Sequence, residues 1–375
     1  MLFAPSPVAE IMSATIKDEQ FEGHSLNWWE PASTFKLDSI LLSYGTTPEM
    51  DIREKLKIPN NVIIIGDSGG YKLLTSRARG KNVNIEPLDV LRWQEKNCEI
   101  GLTLDINPTS LRAPGSSREK SIATTSGKTT TDEYFNKCLE ETCKNNEIFQ
   151  NNRASSKLKI YNIIHGGTFE KMERMDIWYN RVKDFKFEGW SVAPKPAGNP
   201  LKIAIDLGFL YSRGIKENIH VLAVYGNSAL PILVYAKKKL EMKNISTDSF
   251  GQALLSIYRH HKSLIGPSLI YTEKNKIHTR VPCFCPVCSI IKNVEDMYRT
   301  DNTGYALISL HNTWLTIHFL KYVEALIENE ESFQKFVKKY NRLSEGITFL
   351  NNTIDYGWEE AMKKISLIQK PLTEW

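Results

Sequence analysis

The sequence predicts a closed (β/α)8 barrel, an α/β fold. Three observations point there. Short apolar, β-branched runs recur through the first two thirds of the chain. A helical stretch separates most of them, and strand-then-helix repetition means a parallel sheet. The chain has 375 residues, a length that suits one barrel of the TIM type. An open doubly wound sheet is the competing arrangement.

The predicted strands are 40–44, 62–67, 100–105, 160–165, 189–193, 220–226 and 244–248. Continuous apolar runs of this kind read as strands covered on both faces. Helices are expected over 87–96, with Pro87 in the first turn, and over 131–149, with Thr131 and Asp132 as capping residues. Two more are expected over 172–185 and 201–213, and the segment 311–339 also reads as helical. Residues 113–131 are rich in Gly, Ser and Thr and read as a loop after the strand that ends at Asp105. Gly127-Lys128-Thr129 invites a phosphate-loop reading, but the required first glycine falls at Ile122, whose Cβ bars that turn. One domain is expected over residues 1–375, with a zinc-binding segment at 280–315 inside it.

Composition sets outer bounds. Hydrophobic residues make up 41% and charged residues 24%, which is globular and sufficient for a large core. The net charge of +5 is compatible with a nucleic-acid partner without requiring one. The first residues carry neither a basic nor an apolar signal region, and no long apolar run is present, so no membrane contact and a cytoplasmic location are expected.

Several predicted strands end in a polar residue: Asp67, Asp105, His165 and Asp248. In a barrel these ends converge on one mouth, where active sites form. A single Asp after a strand is more often a helix cap; four polar ends at one mouth are not explained that way. Late in the chain, Cys283, Cys285, Cys288 and His311 stand in the spacing C-x-C-x₂-C-x₂₂-H. Three thiolates and an imidazole make a tetrahedral set suited to Zn2+, and four protein ligands leave no open position, so the ion is expected to be structural. Arg259-His260-His261-Lys262, with Lys274, Lys276 and Arg280, reads either as a phosphate-contact surface or as an ordinary solvated face.

In order along the chain, these motifs resemble the tRNA-guanine transglycosylase superfamily from about Val62 to Tyr340. Asp67-Ser68-Gly69-Gly70-Tyr71 is similar to its D-S-G-G-[FY] turn, and Leu104 to Thr109 to an L-D-I-P-T segment. His165-Gly166-Gly167 stands where the family has Q-G-G. Asp248-Ser249 resembles F-D-S, and Cys283, Cys285, Cys288 and His311, with Asn312, match its zinc set.

The resemblance implies that Asp248 is a nucleophile at C1′ of a nucleotide and Asp67 the acid/base for the departing and incoming bases. It implies that Ser68, Gly69, Gly70, Asp105, His165, Gly166 and Gly167 bind the base. Asp105 would accept from the guanine N1–H and 2-amino edge, and His165 would take the 6-oxo contact usually given to Gln. The opening 60 residues, the His165 replacement and the end at Trp375 depart from the family. An archaeal-like core that stops there, without appended C-terminal RNA-binding domains, looks like the DNA-modifying branch called DpdA. The expected reaction is therefore exchange of guanine for a free 7-deazaguanine such as preQ₀ in DNA, with a helper protein that opens the duplex as a further partner. The alternatives are exchange in tRNA and a non-catalytic nucleic-acid-binding subunit. Retention of both Asp67 and Asp248 argues against the last.

Overall fold

The structure is a computed structural model that describes residues 1–6, 37–78, 83–109, 130–165, 167–249, 251, 255–256, 260–265, 268–273, 283–291 and 294–368. Its centre is a ring of eight parallel strands. They are β1 (Leu2–Pro5), β2 (Ser39–Ser43), β3 (Ile63–Asp67), β4 (Ile100–Leu102), β5 (Lys159–Ile164), β6 (Gly189–Val192), β7 (Glu217–Val221) and β8 (Lys243–Ser249). Hydrogen-bonded neighbours run β1-β8-β7-β6-β5-β4-β3-β2. β1 and β2 lie side by side at the seam, where Ser39 Oγ donates to the Phe3 carbonyl at 3.1 Å. The ring is thus nearly closed, and the open-sheet arrangement is excluded.

Seven of these strands overlap the runs expected from the sequence. β1, a four-residue run ending in Pro5, is too short to show a period of its own. β7 ends sooner than its apolar run: the strand stops at Val221, and Ala223 follows with a left-handed φ of 57°. That backbone cannot continue a strand, and it turns residues 222–226 across the end of β8.

Helices surround the ring: α1 (Ile52–Lys55), α2 (Gly70–Ala78), α3 (Pro87–Asn97), α4 (Asp132–Asn152), α5 (Glu173–Val182), α6 (Pro200–Ser212) and α7 (Leu230–Lys239). Caps match the residue types. Thr131 accepts from Tyr134 N at 3.2 Å at the start of α4, and Asn199 accepts from Lys202 N at 3.2 Å at the start of α6. Beyond the ring come the antiparallel pair β9 (His260–Ile265) and β10 (Ser268–Glu273). The helices α8 (Pro286–Ile290), α9 (Asn302–Ile327), α10 (Glu330–Val337), α11 (Asn341–Tyr356) and α12 (Trp358–Ile368) complete the fold. Helix α6 is apolar on nearly every face because the barrel covers one side and α11 the other.

Strand parity places the chemistry. Leu41, Ile65, Leu102, Tyr161 and Ile163 form the apolar filling inside the ring. Ile64 and Ile160, one residue out of step, pack outward against the helices. Counting by twos from the inward residues reaches Ser43 on β2, Asp67 on β3 and His165 after β5. The inward face is apolar at the bottom and polar at the top.

Candidate active site and metal centre

Asp67 is the last residue of β3. Its Oδ2 accepts from Ser43 Oγ at 2.6 Å and from Gly69 N at 3.2 Å. Burial, followed by the charges of Asp105 and Asp248, pushes its carboxyl up to about 6, against the pull of the Ser43 and Gly69 hydrogen bonds. Gly69 has φ +88°, and a Cβ there would lie 2.8 Å from Gly45 N. A Cβ on Gly70 would lie 2.6 Å from the Asp105 carbonyl oxygen. The turn after Asp67 therefore tolerates no side chains at these two positions.

Asp105 follows β4 and is buried. Its Oδ1 accepts from Ser68 Oγ at 3.4 Å, and its Oδ2 lies 2.6 Å from His165 Nε2. His165 is fully buried and stands edge-on to Trp178, with ring centroids 4.9 Å apart. Burial, and then the nearby Lys195 charge, lower its pKa to about 4, so the ring is neutral at neutral pH. Its Nε2 then carries the proton shared with Asp105. Nδ1 has no hydrogen-bond partner among the described residues. His165 thus orients Asp105, and only Nδ1 remains for any other contact.

Lys195 and Asn107 were not singled out from the sequence. Lys195 is buried, and its Nζ donates to Asn107 Oδ1 at 2.5 Å. Burial brings its pKa down to about 7, against the attraction of Asp105. Beneath it on α6, Lys202 and Asp206 form a fully buried ion pair. A lysine in a loop carries no pattern that announces burial. By contrast, the i, i+4 spacing of Lys202 and Asp206 on an otherwise apolar helix was a legible signal.

Asp248 sits near the end of β8 and is buried. Its Oδ1 accepts from Ala223 N at 2.9 Å. The Asp248 carbonyl accepts from Val224 N at 3.1 Å. The chain after β7 therefore wraps this residue. The structure brings Asp67, Asp105, His165 and Asp248 to the same mouth. A Cβ on Gly167 would overlap the Lys171 carbonyl, so its small size serves packing of the following loop. Gly166 lies outside the described residues, as does most of the 113–131 loop.

The second centre lies beyond the barrel. The ligand atoms of Cys283, Cys285, Cys288 and His311 all lie within 4.8 Å of one another. In a tetrahedral zinc site with Zn–S near 2.3 Å, sulfurs are about 3.8 Å apart, so the donor set fits. His311 Nδ1 is 3.2 Å from Cys285 Sγ and 3.3 Å from Cys288 Sγ. Its Nε2 is 2.7 Å from the Lys262 carbonyl, which fixes the tautomer that turns Nδ1 to the cysteines. Asn312 extends the clamp: Oδ1 accepts from Lys262 N at 2.7 Å, and Nδ2 donates to the His260 carbonyl at 3.1 Å. The Cys3His cluster and strand β9 are thus tied through two adjacent residues of α9. His311 lies well inside this helix, rather than at its start. Cys285 caps α8, accepting from Cys288 N at 3.2 Å.

The phosphate-contact reading fails for two of its residues. His261 is buried against Tyr298, with Nδ1 2.7 Å from the hydroxyl. Lys262 is buried, and its Nζ donates to Thr316 Oγ1 at 2.9 Å. Both face α9 because β9 lies against it. Arg259, Lys274, Lys276 and Arg280 lie outside the described residues.

No protein-family model matches the chain. Two curated proteins do. The tRNA-guanine(15) transglycosylase of Methanococcus vannielii is 23% identical over 341 residues, covering 86% of this chain and 48% of that protein. The enzyme of the same name from Methanococcus aeolicus is 24% identical over 318 residues, covering 78% and 43%. The chain is thus distantly similar to two proteins named tRNA-guanine(15) transglycosylase. It spans about half the length of the curated relatives it matches. Among the described residues no helix is long and apolar enough to cross a membrane.

Proposed function

We propose that this protein is a base-exchange transglycosylase that replaces a guanine in nucleic acid by a free base, with tRNA as the substrate. The observation that carries the reading is the pair Asp67 and Asp248 at one barrel mouth, with a third carboxylate, Asp105, held beside Asp67 by Ser68 and His165. The names of the relatives favour tRNA over DNA. The DNA reading drew on where the chain ends, which carries no argument about substrate.

The chemistry follows that of retaining glycosidases. Asp248 attacks C1′; the C1′–N bond to guanine breaks, and its electron pair leaves with the base. Asp67, pushed up to about 6, gives the leaving base a proton near neutral pH. The incoming base, a 7-deazaguanine such as preQ₀, then gives a proton to Asp67 and displaces Asp248. The sugar remains in the strand throughout. Asp105 accepts from the N1–H and 2-amino edge of the base, and His165 keeps that carboxylate in place. The target nucleotide has to be met outside its stack.

Zinc bound by Cys283, Cys285, Cys288 and His311 would supply no chemistry to this reaction. It would hold β9 and α9 together. The zinc-binding segment, 280–315, would belong to one catalytic unit over residues 1–375.

The test is incorporation of radiolabelled guanine, and separately of preQ₀, into unmodified tRNA or duplex DNA. Label in tRNA supports the reading. Label in DNA alone moves the activity to DNA modification. Label in neither, with the protein folded and zinc-loaded, sinks the proposal as an exchange enzyme acting by itself.

A further inference from the structure

The proposed chemistry gives no role to a buried histidine beside Asp248. His220 is on β7, fully buried, opposite Ser246 in the β7–β8 register. Its Nδ1 lies 2.9 Å from Ser246 Oγ. Its Nε2 lies 3.3 Å from Asp248 Oδ1 and has no hydrogen-bond partner among the described residues. Ser246 and Asp248 stand two apart on β8 and share one face. The three side chains therefore form a line from the barrel interior to the mouth.

We propose that His220 is a positioning residue for the Asp248 carboxylate. The inference rests on the reading of Asp248 as the nucleophile. The Ser246 hydroxyl is also 3.3 Å from the Ile219 carbonyl, a longer contact than the one it makes to His220. Donating instead to His220 Nδ1, it leaves the ring proton on Nε2, the nitrogen that lies 3.3 Å from Asp248 Oδ1. Oδ1 then faces two N–H groups, that of His220 and the Ala223 amide at 2.9 Å. Among the described residues, nothing donates to Oδ2. A carboxylate pinned through one oxygen presents the other in a fixed direction. When Oδ2 bonds to C1′ and the C1′–N bond breaks, Oδ1 becomes the carbonyl oxygen of the glycosyl ester and keeps both donors. His220 neither gains nor loses a proton in that step.

This arrangement also gives the chain after β7 a purpose. The left-handed Ala223 turns its amide back onto Asp248, so the amide that bonds Oδ1 and the His220 ring beside that oxygen come from one segment. Positioning of this kind appears in turnover and leaves binding unchanged. Misplacing a reacting group by about 1 Å can cost on the order of 100-fold in rate.

The experiment compares wild type with H220L, H220Q, S246A and D248N, using whichever nucleic acid the wild type labels with radioactive guanine. H220L is expected to lower kcat about 10- to 100-fold, with KM for nucleic acid and for guanine within about twofold. H220Q keeps an amide N–H near the position of Nε2 and is expected to recover most of that loss. S246A removes only the contact to Nδ1 and is expected to lower kcat several-fold. Should H220L fail to fold, H220Q and S246A still decide the question: wild-type kcat in S246A overturns the inference. So does equal damage in H220L and H220Q, or an effect confined to KM. Exchange that survives in D248N refutes the nucleophile reading itself. A dead D248N beside fully active H220L and S246A refutes only the role of His220.

Discussion

Replacing Asp67 by Asn should make the protein more stable near neutral pH. The carboxyl of Asp67 sits at the top of β3 and is pushed from 3.8 to about 6 by burial, with Asp105 and Asp248 adding repulsion. The folded protein thus holds this proton more tightly than the unfolded chain does. Ionising Asp67 in the fold carries no extra cost below pH 4, a growing cost between 4 and 6, and the whole cost above 6. That difference between fold and unfolded chain corresponds to about 3 kcal/mol. That is an upper value, because the side chain is only partly buried and Asn cannot reproduce the charge-assisted bonds from Ser43 and Gly69. D67N should therefore gain about 1–3 kcal/mol at pH 7.5 and nothing at pH 4. Urea denaturation of both proteins at pH 4, 5, 6 and 7.5 measures this directly. A constant difference across that range, or a D67N protein less stable at pH 7.5, would refute the claim that Asp67 is held out of water among like charges.

Three other outcomes follow from the same reasoning. His165 behaves in the opposite sense: its pKa falls to about 4 in the fold, so its contribution is present above pH 6.5 and lost as pH drops toward 4. H165Q, with an amide that can still donate to Asp105, should lose about 2–3 kcal/mol less between pH 7 and pH 4 in the same urea assay. Metal analysis should find one zinc per chain, and C285S should lose it; thermal melting should drop while the far-ultraviolet signature of the barrel persists. K202M leaves Asp206 buried alone and should cost about 3–5 kcal/mol, whereas the double change K202M/D206L should recover most of it, as measured by equilibrium unfolding.

The barrel was legible because its strands are covered on both faces, so each stood out as a continuous apolar run such as Val62 to Ile65. β1 escaped because four residues carry no period, and its membership depends on pairing with β8 across the whole chain. The carboxylates were legible for a related reason: Asp67 and Asp248 terminate strands, and strand ends meet at one mouth. Partners that reach the site from loops were not. Lys195 and Asn107 meet across a long stretch of chain, and neither lies in a periodic element. His220 stood inside an apolar run and read as part of a strand; only the register against Ser246 shows what it faces. The charge of Lys262 suggested solvent, but α9 covers its face of β9 and Thr316 takes its amine. Its residue type is plain in the sequence, but its burial depends on a helix whose Thr316 lies 54 residues further along.

The central claim is that Asp248 becomes covalently joined to the sugar of the target nucleotide. Denaturing electrophoresis of the protein after incubation with labelled tRNA tests it most directly, with peptide mass spectrometry to locate the adduct. The account predicts a slowed band in wild type that free guanine chases away, an adduct on the peptide containing Asp248, and no band in D248N. A band of equal strength in D248N, or an adduct mapped to Asp67 or Asp105, would contradict it.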